Sequence, residues 1–307
     1  MFKKTLFAIA FVSLFSCEQG NVDEIIEQEV NTTTSETQKN LFSFKNWDDF
    51  NTAFINFSEL DTEELKTVSF YNDERSSEFS DAFNAILNED YQFEVANKII
   101  WLHNGAFYEL DDSTIQNPNA NISTLKKVGS ITTDIVPIEN EYLERGTVAI
   151  NNQKEFRKQR YVEGCGSGKV QGPSPRAFKY VNEAYAETAR IGNQNYHSLY
   201  LRIKLEYNHR RRSWRLSGES REISVNATNS SYIRTASAPI AGLNYTIIKN
   251  ISFNSGCSSH KNLLLSRLIA PFQIHSIQWA VKLNGTVTQK MLGDVETNRW
   301  TNYINWQ

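Results

Sequence analysis

The stretch "HSLYLRIKLEYNHRRRSWRLSGESREISVNA", residues 197–227, alternates apolar and polar side chains. Leu199, Leu201, Ile203, Leu205 and Tyr207 fall on one side, and Tyr200, Arg202, Lys204 and Glu206 on the other. A period of two places successive side chains on opposite faces of an extended chain, so the pattern predicts a half-buried antiparallel strand. The alternation stops at residues 208–212, which predicts an exposed turn, and Trp214 and Leu216 resume it on a returning strand. Further β-rich runs follow at "LNYTIIKNISF" (243–253), "FQIHSIQWAVKLNG" (272–285) and "RWTNYINW" (299–306). Their spacing suggests a sandwich or open barrel over residues 177–307.

The periodicity changes upstream. In "FKNWDDFNTAFINF" (44–57), Trp47, Phe50, Phe54 and Phe57 recur at three and four residues, one apolar face of a helix that Asn46 would cap. "LDTEELKTVSF" (60–70) sets Asp61 and Glu64 in capping-box spacing before a second helix. A third candidate, "SSEFSDAFNAIL" (76–87), aligns Phe79, Phe83 and Ile86 or Leu87. These stripes have the spacing of core faces. "YQFEVANKIIWLHNGAFYEL" (91–110) then holds two β-rich runs around Asn104-Gly105, a strong hairpin signal. The fold class expected is therefore α+β. A helical and hairpin region, 42–150, is followed by a linker, 151–176, centred on "GCGSGKVQGPSP", and then by a mainly antiparallel β-sandwich-like domain, 177–307.

The opening segment is of another kind. "MFKKTLFAIAFVSLFSC" has two lysines, then an apolar run of about a dozen residues, too short for a spanning helix, which needs about 20. Leu14-Phe15-Ser16-Cys17 resembles a bacterial lipobox, although Phe15 is bulkier than that pattern prefers. The alternative is an ordinary signal peptide that contains a cysteine. The resemblance implies a signal peptide over 1–16 and acylation of Cys17. A polar tether over 17–41 would follow, too poor in apolar surface to offset the cost of ordering it. "AFNAILNEDYQFEVANKIIWLHNGAFYEL" (82–110), with the helices before it, resembles the amino-terminal region of envelope lipoproteins of Bacteroidota, closely over residues 42–110. This implies a palmitate-type lipid anchor in the outer membrane, facing the periplasm or the cell surface. It implies no activity.

Charge is distributed unevenly. Residues 18–150 carry 26 acidic and 8 basic side chains, a net of −18, whereas 151–307 carry 9 acidic and 22 basic ones, a net of +13. Either the halves attract one another, or the basic half meets an anionic partner such as an acidic glycan or a lipid headgroup. Arg210, Arg211 and Arg212 at the expected turn are the sharpest candidates. Guanidinium groups hold sulfate, phosphate and carboxylate in a two-pronged geometry. Trp214 offers a stacking surface beside them, or packs in the core.

Motifs for catalysis are sparse. Gly168-Lys169 fails as a phosphate loop, since Glu163 stands where the first glycine belongs and Val170 where a hydroxyl residue belongs. The five histidines, His103, His197, His209, His260 and His275, have no metal-ligand spacing. Asp294 and Glu296 come nearest to paired carboxylates, and a solvated turn explains them equally well. No nucleophile elbow is present. No cofactor, metal or nucleic-acid partner is expected. Cys165 and Cys257 read as one disulfide, against two free thiols. Asp112-Ser113-Thr114 resembles a short O-glycosylation acceptor of Bacteroidota envelope proteins, which would make Ser113 the acceptor; a plain loop is the alternative. Three roles follow: a non-catalytic envelope module binding an anionic or carbohydrate ligand, an accessory subunit docking on another envelope protein, and an enzyme acting on envelope polymers.

Overall fold

Asn46 starts the first helix as its sequence position predicts. Its side-chain oxygen accepts from the backbone N–H groups of Asp48 and Asp49 at 2.8 and 2.9 Å, satisfying two donors that the first turn leaves orphaned. The computed structural model describes residues 41–60, 62–72, 75, 78–111, 122–136, 152–162, 170–209, 213–234, 244–258, 260–271 and 277–307. After the short strand β1 (Ser43–Phe44) come α1 (Trp47–Phe57), α2 (Thr62–Val68) and α3 (Asp81–Ile86). Asp61, the expected cap of α2, lies outside the described residues. Phe50, Phe54 and Phe57 are buried, and Phe54 meets Phe83 of α3 at 4.7 Å between ring centroids. Among the described residues, no helix is long and apolar enough to cross a membrane.

Three short strands follow: β2 (Gln92–Val95), β3 (Lys98–His103) and β4 (Ala106–Leu110). Asn104 and Gly105 have φ of 47° and 72°, the left-handed pair a two-residue hairpin requires. Ala96 and Asn97, at 51° and 62°, make a second such turn that lacks the glycine signal. The chain continues through β5 (Lys126–Ile135), β6 (Asn152–Val162), β7 (Val170–Ile191), β8 (Gln194–His209) and β9 (Ser213–Leu216). Then come β10 (Arg221–Asn229), β11 (Tyr232–Arg234), β12 (Asn244–Ile247), β13 (Asn250–Ser258) and β14 (Lys261–Ala270). The last strands are β15 (Gln278–Ala280), β16 (Leu283–Met291) and β17 (Trp300–Trp306).

Eleven strands form one sheet, ordered β1-β2-β3-β4-β5-β7-β8-β14-β12, with β6 on β7 and β9 on β8. Its pairs are antiparallel except β1 with β2. A four-stranded antiparallel sheet, β13-β10-β16-β17, packs on it. Leu199, Leu201, Ile203 and Leu265 of the large sheet meet Ile223, Val225, Val287 and Ile304 of the small one, so the two sheets make the expected sandwich. The helices cover the other face, where Ala189, Ile191, Tyr196 and Phe107 join Phe50, Phe54 and Phe83. Burying each such ring contributes on the order of 2 kcal/mol. A polar seam crosses the sandwich core: Arg221, fully buried, donates to Gln289, whose amide donates to Asn182 at 2.7 Å. Burial lowers the Arg221 pKa to about 9.

One expectation is corrected, and a second in part. Residues 151–176, read as a linker between two domains, carry β6 and the start of β7, and β5 of the acidic half pairs with β7 of the basic half. Residues 40–307 form one compact unit. Strand β8 is buried on both faces in its first part, where Tyr196 and Tyr200 are covered, while Arg202, Lys204 and Glu206 stay partly exposed on the polar side, as the half-buried reading expects.

Candidate functional site

Cross-strand register builds a charged column on the polar face of β7 and β8. Lys179 stands opposite Glu206 and Glu183 opposite Arg202, and side chains directly opposite interact most strongly. Lys179 reaches Glu206 at 2.9 Å, Lys204 bridges Glu206 at 2.9 Å and Glu183 at 3.0 Å, and Arg202 pairs with Glu183. Arg202 also lies over the Tyr185 ring, 4.1 Å from its centroid. Burial opposes the Glu206 charge, but the hydrogen bonds from Lys179 and Lys204 outweigh it and hold its pKa below the ordinary carboxylate value. These carboxylates serve as fixed anions that position cations.

Trp214 closes the open end of the column. It pairs with Asn208 and so shares the polar face of β8 instead of resuming the apolar pattern. It is half-buried on β9, and Lys179 Nζ sits over its ring at 4.6 Å. The two strands pair through to His209 and Ser213. Arg210, Arg211 and Arg212 lie outside the described residues, as do Cys17, Ser113 and Cys165. Cys257 is half-buried on β13.

At its other end the column runs beneath α3. Glu187 is buried there, its Oε2 accepting the Ser80 N–H at 2.7 Å, and burial pushes its pKa up to about 7. Asp81 pairs with Lys261 at 3.5 Å and accepts from Asn262 at 3.3 Å. Asn262 in turn contacts His260 at 3.2 Å. Nothing in "AYAETAR" marks Glu187, because its environment comes from a helix 107 residues away. The group ties α3 to the sheet.

A cleft of about 430 Å³ lies elsewhere, lined by Trp47, Lys98, Glu109, Lys126, Val128 and Gly192, among others. Gly192, at φ 59°, is required there, since a Cβ would lie 2.3 Å from the Trp47 ring. Hydrogen bonds from Lys126 and Lys98 keep the Glu109 carboxyl below its ordinary pKa against the effect of burial.

The remaining sequence candidates resolve as follows. Among the described residues, no three His, Cys, Asp or Glu side chains group as metal ligands. His103 stacks on Trp101 at 4.5 Å. His197 is buried against Thr188, and burial drops its pKa to about 4. Asp294 caps a turn, accepting from Val295 and Asn298. Glu296 is exposed, and its hydrogen bonds to Arg299 and Lys290 lower its pKa to about 2. That is opposite to what a general acid needs, so the paired-carboxylate reading gives way to a solvated turn. No protein-family model, curated protein or solved structure matches the chain.

Proposed function

We propose that the chain is a non-catalytic, lipid-anchored protein of the cell envelope that binds an anionic or carbohydrate ligand through its basic β-rich half. The observation that carries this reading is the placement of Trp214: it stands beside Lys179 on an edge strand, one residue after Ser213 and so next in sequence to Arg210, Arg211 and Arg212. A ring with a cation over it, close in sequence to three arginines, suits a ligand that presents both negative charge and a flat apolar face. Glu206 in the column and Glu109 in the cleft are held below the ordinary carboxylate value by lysines, which suits them to positioning cations more than to exchanging protons.

The anchor rests on Cys17 in its lipobox-like setting. Replacing Cys17 with Ser is expected to abolish fatty-acid labelling and release the protein from membranes; labelling that persists in the variant refutes the anchor. The bridge from Cys165 to Cys257 is part of the same envelope reading and rests on the even number of cysteines left after acylation of Cys17. The ligand site is tested by replacing Arg210, Arg211 and Arg212 with Ser and measuring binding to dextran sulfate and to vesicles rich in anionic lipid. Loss of binding at low salt with an unchanged melting temperature is the expected result. Binding equal to the parent's removes these arginines from the site.

A further inference from the structure

The outer face of the four-stranded sheet is unlike the rest of the basic half. Register aligns its outward side chains in three rows across β13, β10, β16 and β17. The rows are Asn254-Ser224-Thr288-Thr301, Ser252-Asn226-Thr286-Tyr303 and Asn250-Thr228-Asn284-Asn305. The alternate residues, including Ile223, Val225, Val287 and Ile304, enter the sandwich core. Eleven of the twelve outward positions are therefore Ser, Thr or Asn, the twelfth is Tyr303, and none is charged. An ordinary solvent face carries charge at roughly a quarter to a third of its positions. Charges return only at the two ends: Glu222, Lys290 and Arg299 pair with one another at one, and Lys249 and Lys282 stand at the other.

We propose that this face is a docking surface for a neutral glycan chain. This deepens the carbohydrate-binding reading above and rests on it, but uses residues other than the arginine cluster. Strand spacing and pleat set polar groups about 4.8 Å apart across the sheet and about 6.8 Å apart along it, over roughly 14 Å in each direction. Each hydroxyl and amide both donates and accepts, as sugar hydroxyls do. The side chains are short, and Asn284 with Asn305 and Thr288 with Thr301 already hold one another at 3.2 and 3.3 Å. Little rotamer freedom is lost when a ligand settles on such groups. An uncharged ligand leaves no ion to strip of water. Tyr303, 79% exposed in the middle row on edge strand β17, gives a ring on which the apolar face of a sugar can lie. A protein partner fits less well. A stable interface wants about 800 Å² from each side with an apolar, aromatic centre, and this face offers a single aromatic ring.

The test is affinity electrophoresis of the mature full-length chain through gels containing laminarin, dextran, mannan or xyloglucan, with dextran sulfate as the anionic counterpart. Retardation by at least one uncharged polysaccharide is expected, unchanged by salt up to about 0.5 M, where screening has removed most charge-based binding. Tyr303→Ala and Thr286→Glu are each expected to weaken it roughly tenfold, in line with loss of a ring contact or burial of an uncompensated charge. Both positions lie on the outer face, and circular dichroism checks that the variants fold. The Arg210, Arg211 and Arg212 to Ser variant is expected to keep neutral-glycan binding, so failure at the arginine cluster and failure on this face are read separately. The proposal is overturned by an absence of retardation in all four neutral gels, by retardation that both face variants retain in full, or by these substitutions altering self-association instead of glycan binding.

Discussion

Glu187 shows what a single residue contributes and how that contribution titrates. Its folded pKa, about 7, lies above the ordinary carboxylate value because burial disfavours the charge. The folded protein therefore holds this proton more tightly than the unfolded chain does. The group leaves stability intact below about pH 4.5 and costs progressively more as pH rises to 7, by then on the order of 3 kcal/mol. A Glu187→Gln variant keeps an acceptor for Ser80 and has no charge to bury. Denaturant titrations are expected to show its advantage over the parent growing from near zero at pH 4.5 to a plateau above pH 7. An advantage that does not change across that range contradicts a neutral, buried Glu187. Residues of this kind are invisible in the sequence, since burial is a property of what folds over them. Asp294 and Glu296 show the converse: two residues of spacing suggested a pair, and the turn gave each its own partners.

At the scale of elements, local signals were legible wherever local chemistry decides. The cap and stripe of α1 and the Asn104-Gly105 turn appear where their residues place them, whereas α3 starts only after Phe79 and is buried on every side instead of along one stripe. Asn46→Ala removes the acceptor for two helix N–H groups and is expected to cost about 1 kcal/mol, read as a lowered urea midpoint at unchanged slope. A cost near zero means that packing of Phe50 and Phe54 alone holds the helix. The linker expectation failed for a physical reason. Pro173 and Pro175 punctuate a sequence, yet among the described residues β7 pairs over 170–176 with β6 alone, and a strand paired on one side tolerates proline. The Trp214 register failed likewise, because pairing with Asn208 fixes its face and alternation within β9 cannot. The uncharged rows of the small sheet emerge only once four strands distant in sequence are set in register.

For the whole molecule, the opposed charges of −18 and +13 do not mark two bodies. The β5 and β7 pairing and the helix-facing core join the halves, with ion pairs such as Asp81 to Lys261 added to them. The proposed bridge between Cys165 and Cys257 would close a loop of about 93 residues, stabilising by roughly 4 to 5 kcal/mol through the unfolded chain. Peptide mapping of the mature protein without reductant is expected to find the two linked; full alkylation of both cysteines without reductant contradicts it. The central claim, ligand binding through the basic β-rich half, is tested most directly by the salt dependence of affinity for dextran sulfate. The parent is expected to lose affinity steeply from low salt to about 0.5 M, while the chain with Arg210, Arg211 and Arg212 replaced by Ser binds weakly with a shallow dependence. Equal affinities and equal salt slopes for the two proteins would contradict it.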